Sequence, residues 1–284
     1  VRLTTGGAFC YIFRMKHMTG KIIVLTGGSG GLGRELKEFY RASGNTVVDL
    51  SRSNPGEGDD LICDVADPEM VRAAFDFVKQ RYGRVDILIN NAGYGVSGAV
   101  ELLEDEQVKR IFDVNFHGAF SCIKAALPLM SRGGRIVNVS SACAVFALPF
   151  RAMYCASKAA LSMLSHSLRE EVRPYGISVT AICPGDTKTG FTKNRVKNFA
   201  TNERYGERIK RADDHIGDRE ERRMSPQAVA KKMCQIIAKR SYRPFYIVGK
   251  KYKFLYVLNR LLPLGWIIRA TGGLFAPADK KQKK

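Results

Sequence analysis

Short β-branched runs alternate with amphipathic stretches over the first two-thirds of the chain. The runs at 21–26, 46–50, 60–65, 86–90, 135–140 and 177–183 have the length and composition of buried strands. Between them, 32–43, 69–82 and the segment opening at Tyr154 repeat their apolar residues at helical spacing. Strands alternating with helices at this spacing predict an α/β protein built on a single doubly wound parallel sheet, with helices on both faces. Local signals fix two helix starts: Asp67-Pro68 opens 69–82 and Ser225-Pro226 opens 227–240, each with proline where a missing N–H costs least. No internal repeat interrupts this pattern. From 186 to 223 the chain turns polar and charge-rich without regular patterning, which predicts a substrate loop or lid over 186–224.

The first strand runs into Thr26-Gly27-Gly28-Ser29-Gly30-Gly31-Leu32-Gly33, and the first helix follows at once. A glycine turn between strand and helix lets the backbone approach a pyrophosphate, and the helix N-terminus favours its negative charge. The second strand ends in Ser51-Arg52, where a dinucleotide site reads the adenosine ribose. An arginine there accommodates a 2′-phosphate, so NADP(H) is preferred over NAD(H), although Asp49 stands close by and Gly30 offers no second cation. Asp64 and Val65 end the third strand. Asn90-Asn91-Ala92-Gly93 ends the fourth, where the two amides either hold the turn or face a ligand at the strand ends. Asn115 sits in the middle of a long helical stretch, an unfavourable choice for a helix interior.

Tyr154 and Lys158 lie four residues apart and share one helix face. A fixed positive charge beside a phenol favours the phenolate, which suits the pair to acid or base work near neutrality.

The whole chain carries a net charge of +19, which raises nucleic acid or membrane as partners. That charge is unevenly spread. Residues 193–284 hold 24 Lys+Arg against 8 Asp+Glu, a balance of +16, and residues 1–192 hold 22 against 19, a balance of +3. The seven cysteines are odd in number and widely spaced, which predicts reduced thiols in a cytoplasmic protein, with neither a disulfide framework nor a metal site. Residues 1–17 have a short, interrupted apolar run and are expected to be an unstructured or non-native leader, with Met15 or Met18 as the natural start.

Together, the glycine turn, Asn90-Asn91-Ala92-Gly93, Asn115, Ser141, Tyr154 with Lys158, and Pro184-Gly185 resemble the short-chain dehydrogenase/reductase family. The likeness runs from about 20 to 190, with a faint return at 243–248 as a last strand. Leu148-Pro149-Phe150 before Tyr154 is similar to hydroxysteroid and retinol dehydrogenases of that family. The resemblance implies a Rossmann fold over 18–249 and an interconversion of alcohol and carbonyl by hydride transfer. It implies Tyr154 as acid/base, Ser141 orienting the substrate oxygen, Lys158 holding the nicotinamide ribose and depressing the Tyr154 pKa, and Asn115 anchoring a proton relay. Gly27, Ser29, Gly31, Leu32 and Gly33 would cradle the pyrophosphate, with Ser51 and Arg52 at the ribose and Asp64 and Val65 at the adenine. Asn91, Ala92, Gly93, Pro184, Gly185 and Thr187 would face the ribose and carboxamide. The family also implies a homodimer or homotetramer through the helices around Asn115 and Tyr154.

Apolar residues beside the active stretch, Val145 and Phe150 among them, point to a lipophilic hydroxy or keto substrate. Residues 250–284 mix basic, aromatic and aliphatic residues, and Arg260, Pro263, Gly265 and Arg269 interrupt any membrane span. This basic helical C-terminal extension is expected to pack on the body of the protein with weak peripheral contact at the inner membrane face. No recognition motif supports a nucleic-acid role. The competing reading is a nucleotide-binding, membrane-associated regulatory protein of the same fold without turnover, against which the intact Ser141, Tyr154 and Lys158 argue.

Overall fold

The computed structural model describes residues 18–53, 58–191, 194–217 and 223–276. The leader, Cys10 and the basic tail at 280–284 lie outside the described residues. The chain forms β1 (Ile22–Thr26), α1 (Gly31–Ala42), β2 (Thr46–Ser51), β3 (Leu61–Ile62), α2 (Pro68–Tyr82), β4 (Ile87–Asn90) and β5 (Val96–Ser97). There follow α3 (Asp105–Phe112), α4 (Gly118–Ala126), β6 (Arg135–Val139), α5 (Ala152–Val172) and β7 (Ser178–Pro184). The last part holds β8 (Val196–Lys197), α6 (Arg208–Gly217), α7 (Pro226–Ile237), β9 (Phe245–Val248), α8 (Lys250–Leu261) and α9 (Leu264–Phe275).

Seven strands pair in the order β3-β2-β1-β4-β6-β7-β9, every pair parallel. Because side chains alternate along a strand, β1 divides its burden: Ile22 and Val24 enter one core with α2, α4 and α5, and Ile23 and Leu25 enter the other with α1 and α7. All five β1 residues are buried, as a strand covered on both faces requires. Met18 belongs to the second core. The order reverses around β1 and β4, and the strand ends there open the crevice in which such sheets bind ligands.

Three departures from the sequence expectations have local causes. Only Leu61 and Ile62 of the third run pair, because Asp64 turns the chain, its carboxylate and carbonyl accepting from the N–H groups of Ala66 (3.0 Å) and Asp67 (2.9 Å). The long helix around Asn115 is broken by a π-helical turn, Asp113–His117, from which the Asn115 side chain reaches the Tyr94 backbone and Ser157. The segment expected to lack pattern contains β8, paired with β5, and α6. Its base is closed where Met224 pairs with 186–188, and Arg195 and Lys197 both meet Asp213, the latter at 2.9 Å. Short strands and a charged helix leave too little apolar periodicity to be seen.

Candidate active site

A single cavity of about 1000 Å³ runs along the C-terminal ends of the strands. At one end it is lined by the glycine turn. Gly33 has no room for a side chain, since a Cβ there would stand 2.0 Å from the Gly27 carbonyl oxygen. Gly28 likewise abuts the Asp49 carboxylate, which accepts from its N–H at 2.7 Å. Helix α1 begins without a side-chain cap, so its first N–H groups are left for a ligand anion. Bare backbone, an uncapped helix start and an adjacent groove fit a dinucleotide pyrophosphate.

Asp49 is fully buried and committed to Gly28, Lys37 (3.0 Å) and the Ser51 hydroxyl (2.8 Å). It holds the turn and, with no exposed surface, is closed to a ribose. Ser51 accepts from the Ser29 N–H at 3.2 Å, and exposed Arg52 lines the cavity beyond it. Asp64 and Val65 line the same end, with Arg110 hydrogen-bonded to the Asp64 carboxylate. Burial acts to raise the Asp64 pKa, but Arg110, the Ala66 N–H and Arg52 hold it below the ordinary carboxylate value. The Asn91 side chain braces the turn, donating to the carbonyls of Thr26 (3.0 Å) and Gly27 (3.1 Å), while Ala92 and Gly93 line the cavity.

At mid-cavity stand Ser141, Tyr154 and Lys158. Ser141 leaves β6 and caps a short 3-10 turn, accepting from the Cys143 N–H at 3.2 Å. Tyr154 and Lys158 lie on the buried face of α5. Burial pushes the Tyr154 phenol well above its ordinary value, with Cys143 adding to the rise, while a hydrogen bond with Ser141 and the charge of Arg151 act against it. Lys158 donates to the Val139 carbonyl at 3.0 Å, and burial pulls its pKa down to about 8. Asn115, in the π turn, clamps the Tyr94 backbone with two 3.0 Å hydrogen bonds and donates to Ser157 at 3.0 Å. A Cβ on Gly93 would touch both the Asn115 oxygen (2.9 Å) and the Lys158 nitrogen (3.2 Å), so these two groups share one side of that glycine.

The far end of the cavity is apolar. Phe146, Leu148 and Phe191 line it; Val145 and Phe150 do not. The Phe150 ring turns to the segment 194–217, edge-on to Tyr205 at 6.0 Å and beneath Arg208 at 5.8 Å. Helices α8 and α9 form the roof through Leu255, Leu258, Ile267 and Leu274. Tyr252 pins this roof to the site, its ring so close to Gly185 that a Cβ there would fall 2.0 Å from it. Pro184, Gly185 and Thr187 line the cavity beneath. Sequence reasoning missed Tyr252 and Arg151 as cavity residues. Their only signal was an aromatic ring in a basic segment and a lone cation in an apolar one.

Residues 21–199 match a family model described as short chain dehydrogenase. The chain belongs to that family. Among relatives of this short-chain dehydrogenase, a 3-ketodihydrosphingosine reductase from Bacteroides thetaiotaomicron is 36% identical over 231 residues, spanning 79% of this chain and 86% of the relative. A 3beta-hydroxysteroid dehydrogenase from Mediterraneibacter gnavus is 34% identical over 204 residues, spanning 66% and 74%. Of solved structures, ligand-free aldohexose dehydrogenase from Thermoplasma acidophilum superposes with a TM-score of 0.71 at 29% identity, covering 84% of this chain and 96% of that one. The short-chain dehydrogenase described here is thus an NAD(P)-dependent oxidoreductase.

Proposed function

We propose that the protein is an NADP(H)-dependent oxidoreductase that interconverts a secondary alcohol and a ketone, or an aldehyde, on a lipophilic small molecule, with Tyr154 as the acid/base. The observation that carries this reading is the continuity of one cavity from the glycine turn, past Ser141, Tyr154 and Lys158, to an apolar roof. Bound at the glycine turn, the nicotinamide cofactor supplies or accepts the hydride. Gly27, Ser29, Gly31, Leu32 and Gly33 hold its pyrophosphate, and Lys158 holds its ribose hydroxyls. With Asp49 occupied, Arg52 is left at the end of β2, which favours a 2′-phosphate and hence NADP(H).

Ser141 donates to the substrate oxygen and fixes it against Tyr154. Tyr154 gives its proton to that oxygen in reduction and takes it back in oxidation. The raised Tyr154 pKa keeps the phenol protonated in the ligand-free enzyme, ready to act as the acid. Lys158 and Asn115 lie beyond it as the route by which the proton is replaced. Apolar lining at the far end excludes water and suits a substrate with a long hydrocarbon part. The names of the two relatives, one acting on a ketodihydrosphingosine and one on a hydroxysteroid, agree with that class.

The outer face of α8 and α9 exposes Phe254, Val257, Leu261, Leu264, Trp266 and Ile268, and residues 250–276 hold five basic and no acidic residues. Among the described residues no helix is long and apolar enough to cross a membrane. An anionic bilayer surface fits this face, and the roof it would touch is the roof of the substrate cavity. Exposed Phe120 on α4 and Met163 on α5 fit a subunit interface through those helices. NADPH oxidation with long-chain ketones, hydroxysteroids and retinoids tests the activity: turnover that Tyr154→Phe abolishes is expected, and no turnover on any class refutes it. Vesicle sedimentation tests the surface: Trp266, the sole tryptophan, should shift its emission to the blue on phosphatidylserine vesicles. Unshifted emission with the protein left in the supernatant refutes the membrane contact.

A further inference from the structure

Arg151 stands three residues before Tyr154, at the N-cap of α5, and lines the cavity. Its neighbours in sequence show how it comes to be there. Phe150 is the one non-glycine with positive φ among the described residues, at 58°, a conformation that is costly for a bulky side chain. The bend is held on both sides: the Phe150 carbonyl accepts from the Gly98 N–H at 2.9 Å, and its ring is fixed by Tyr205 and Arg208. Strain pinned this firmly at the edge of a site marks a side chain whose position matters.

The Arg151 guanidinium has no use in the proton transfer. Its Nη2 is buried and has no hydrogen-bond partner. Among the described residues no carboxylate pairs with it, whereas the nearby Arg195 has Asp213. Nη2 itself is closed off from the cavity, but Arg151 lines it without a counter-ion, and an anion in the cavity offsets that charge. The surrounding charges point the same way. Arg151, Arg223 and Lys251 line the cavity beyond the glycine turn, against one carboxylate, Asp186, which is itself hydrogen-bonded with Tyr252. The cofactor phosphates belong to the glycine turn and Arg52, at the other end. Arg151 precedes Tyr154 by three residues at the start of the same helix and both line the cavity, so whatever it binds lies near the reacting carbonyl.

We infer that Arg151 binds an oxyanion of the substrate, a carboxylate or phosphate, so that the enzyme takes long-chain keto or hydroxy compounds with an anionic group close to the reacting carbon. This rests on the oxidoreductase reading above and narrows its substrate class. A neutral or cationic head group leaves Arg151 without a counter-ion and is selected against, which would set this chain apart from the relative named for ketodihydrosphingosine, an amino ketone.

The test uses long-chain ketones that differ only in head group: 4-oxo carboxylates, their methyl esters and the matching amino ketones, each reduced with NADPH. The wild-type enzyme should favour the carboxylate. In Arg151→Met the carboxylate-to-ester ratio of kcat/KM should fall roughly 10- to 100-fold, chiefly through KM, and Arg151→Lys should recover part of it. General damage to the fold lowers both substrates and leaves the ratio in place, so an unchanged ratio, or a wild-type preference for the amine, overturns the inference. Calorimetry separates the two readings: hexadecanoate and hexadecyl phosphate are titrated against hexadecan-1-ol. Arg151-dependent anion binding without turnover of any ketone upholds this inference and refutes the activity. Ketone turnover with anions bound no better than the alcohol does the reverse, and the tighter of the two anions identifies the head group.

Discussion

Replacing Gly33 by alanine sets two effects of opposite sign against each other. Gly33 is the third residue of α1, and alanine in a helix is favoured over glycine by about 1 kcal/mol, so propensity alone predicts stabilisation. The added Cβ, however, would stand 2.0 Å from the Gly27 carbonyl oxygen and 2.6 Å from the Asn91 amide. Neither is the free end of a flexible side chain: Gly27 is backbone, and Asn91 is tied to the carbonyls of Thr26 and Gly27. Overpacking of this kind costs about 1–3 kcal/mol, toward the upper end where backbone must move. The net loss should be about 2 kcal/mol, or a fall in Tm of roughly 4–8 °C for a domain of this size. Gly30→Ala is the control, because its Cβ meets nothing within 4 Å and its φ of −160° is ordinary extended backbone. Thermal melts of both variants, with an NADPH titration of each, decide the matter. Gly33→Ala should melt early and bind NADPH at least tenfold more weakly, with Gly30→Ala melting close to wild type. If Gly33→Ala melts with wild type and binds NADPH as well, the close approach of turn and helix has no role in shaping the site.

Arg52→Ala should raise the KM for NADPH about 10- to 100-fold and leave that for NADH nearly unchanged, as loss of a charge-assisted phosphate contact requires; equal effects on both cofactors contradict the assignment. Lys158 has a folded pKa near 8 against 10.5 for the free side chain, so the unfolded chain binds more protons between those values and stability should rise with pH across that window. Urea melts from pH 7 to 10 should show this rise, on the order of a few kcal/mol, and Lys158→Met should flatten it. Asp213→Asn leaves the buried Arg195 cation without its partner and should cost about 3–5 kcal/mol locally. Faster tryptic cleavage within 194–217 and a raised substrate KM would report it, and wild-type cleavage rates would show that this segment is held by other contacts.

The parallel sheet was legible because strands covered on both faces are continuous apolar runs, and the glycine turn because only one residue type tolerates the approach at Gly28 and Gly33. Tyr154 and Lys158 were legible through spacing, since helix geometry puts them on one face, whereas Ser141 was singled out only by the family resemblance. What sequence could not give is set by contacts between distant segments. Tyr252 reaches Gly185 only because α8 folds back over the strand ends, and nothing in a basic, aromatic stretch says which face turns inward. Arg151 resembles a surface arginine until the cavity closes around it. Phe150 was expected at the substrate because it is apolar and near Tyr154, yet its ring packs against Tyr205 and does not line the cavity. The expected pull of Lys158 on the Tyr154 phenol is outweighed in the ligand-free enzyme by burial, which acts on both groups.

The central claim is that hydride reaches a substrate carbonyl whose oxygen is protonated by Tyr154. It is tested most directly by reducing a long-chain ketone with NADPH deuterated at the transferring carbon and reading the product by mass spectrometry. The account predicts one deuterium on the new carbinol carbon with wild-type enzyme, and Tyr154→Phe that binds NADPH normally yet forms product at least a hundredfold more slowly, the scale of a lost general acid. Product without deuterium, or a Tyr154→Phe variant as fast as wild type, would contradict it.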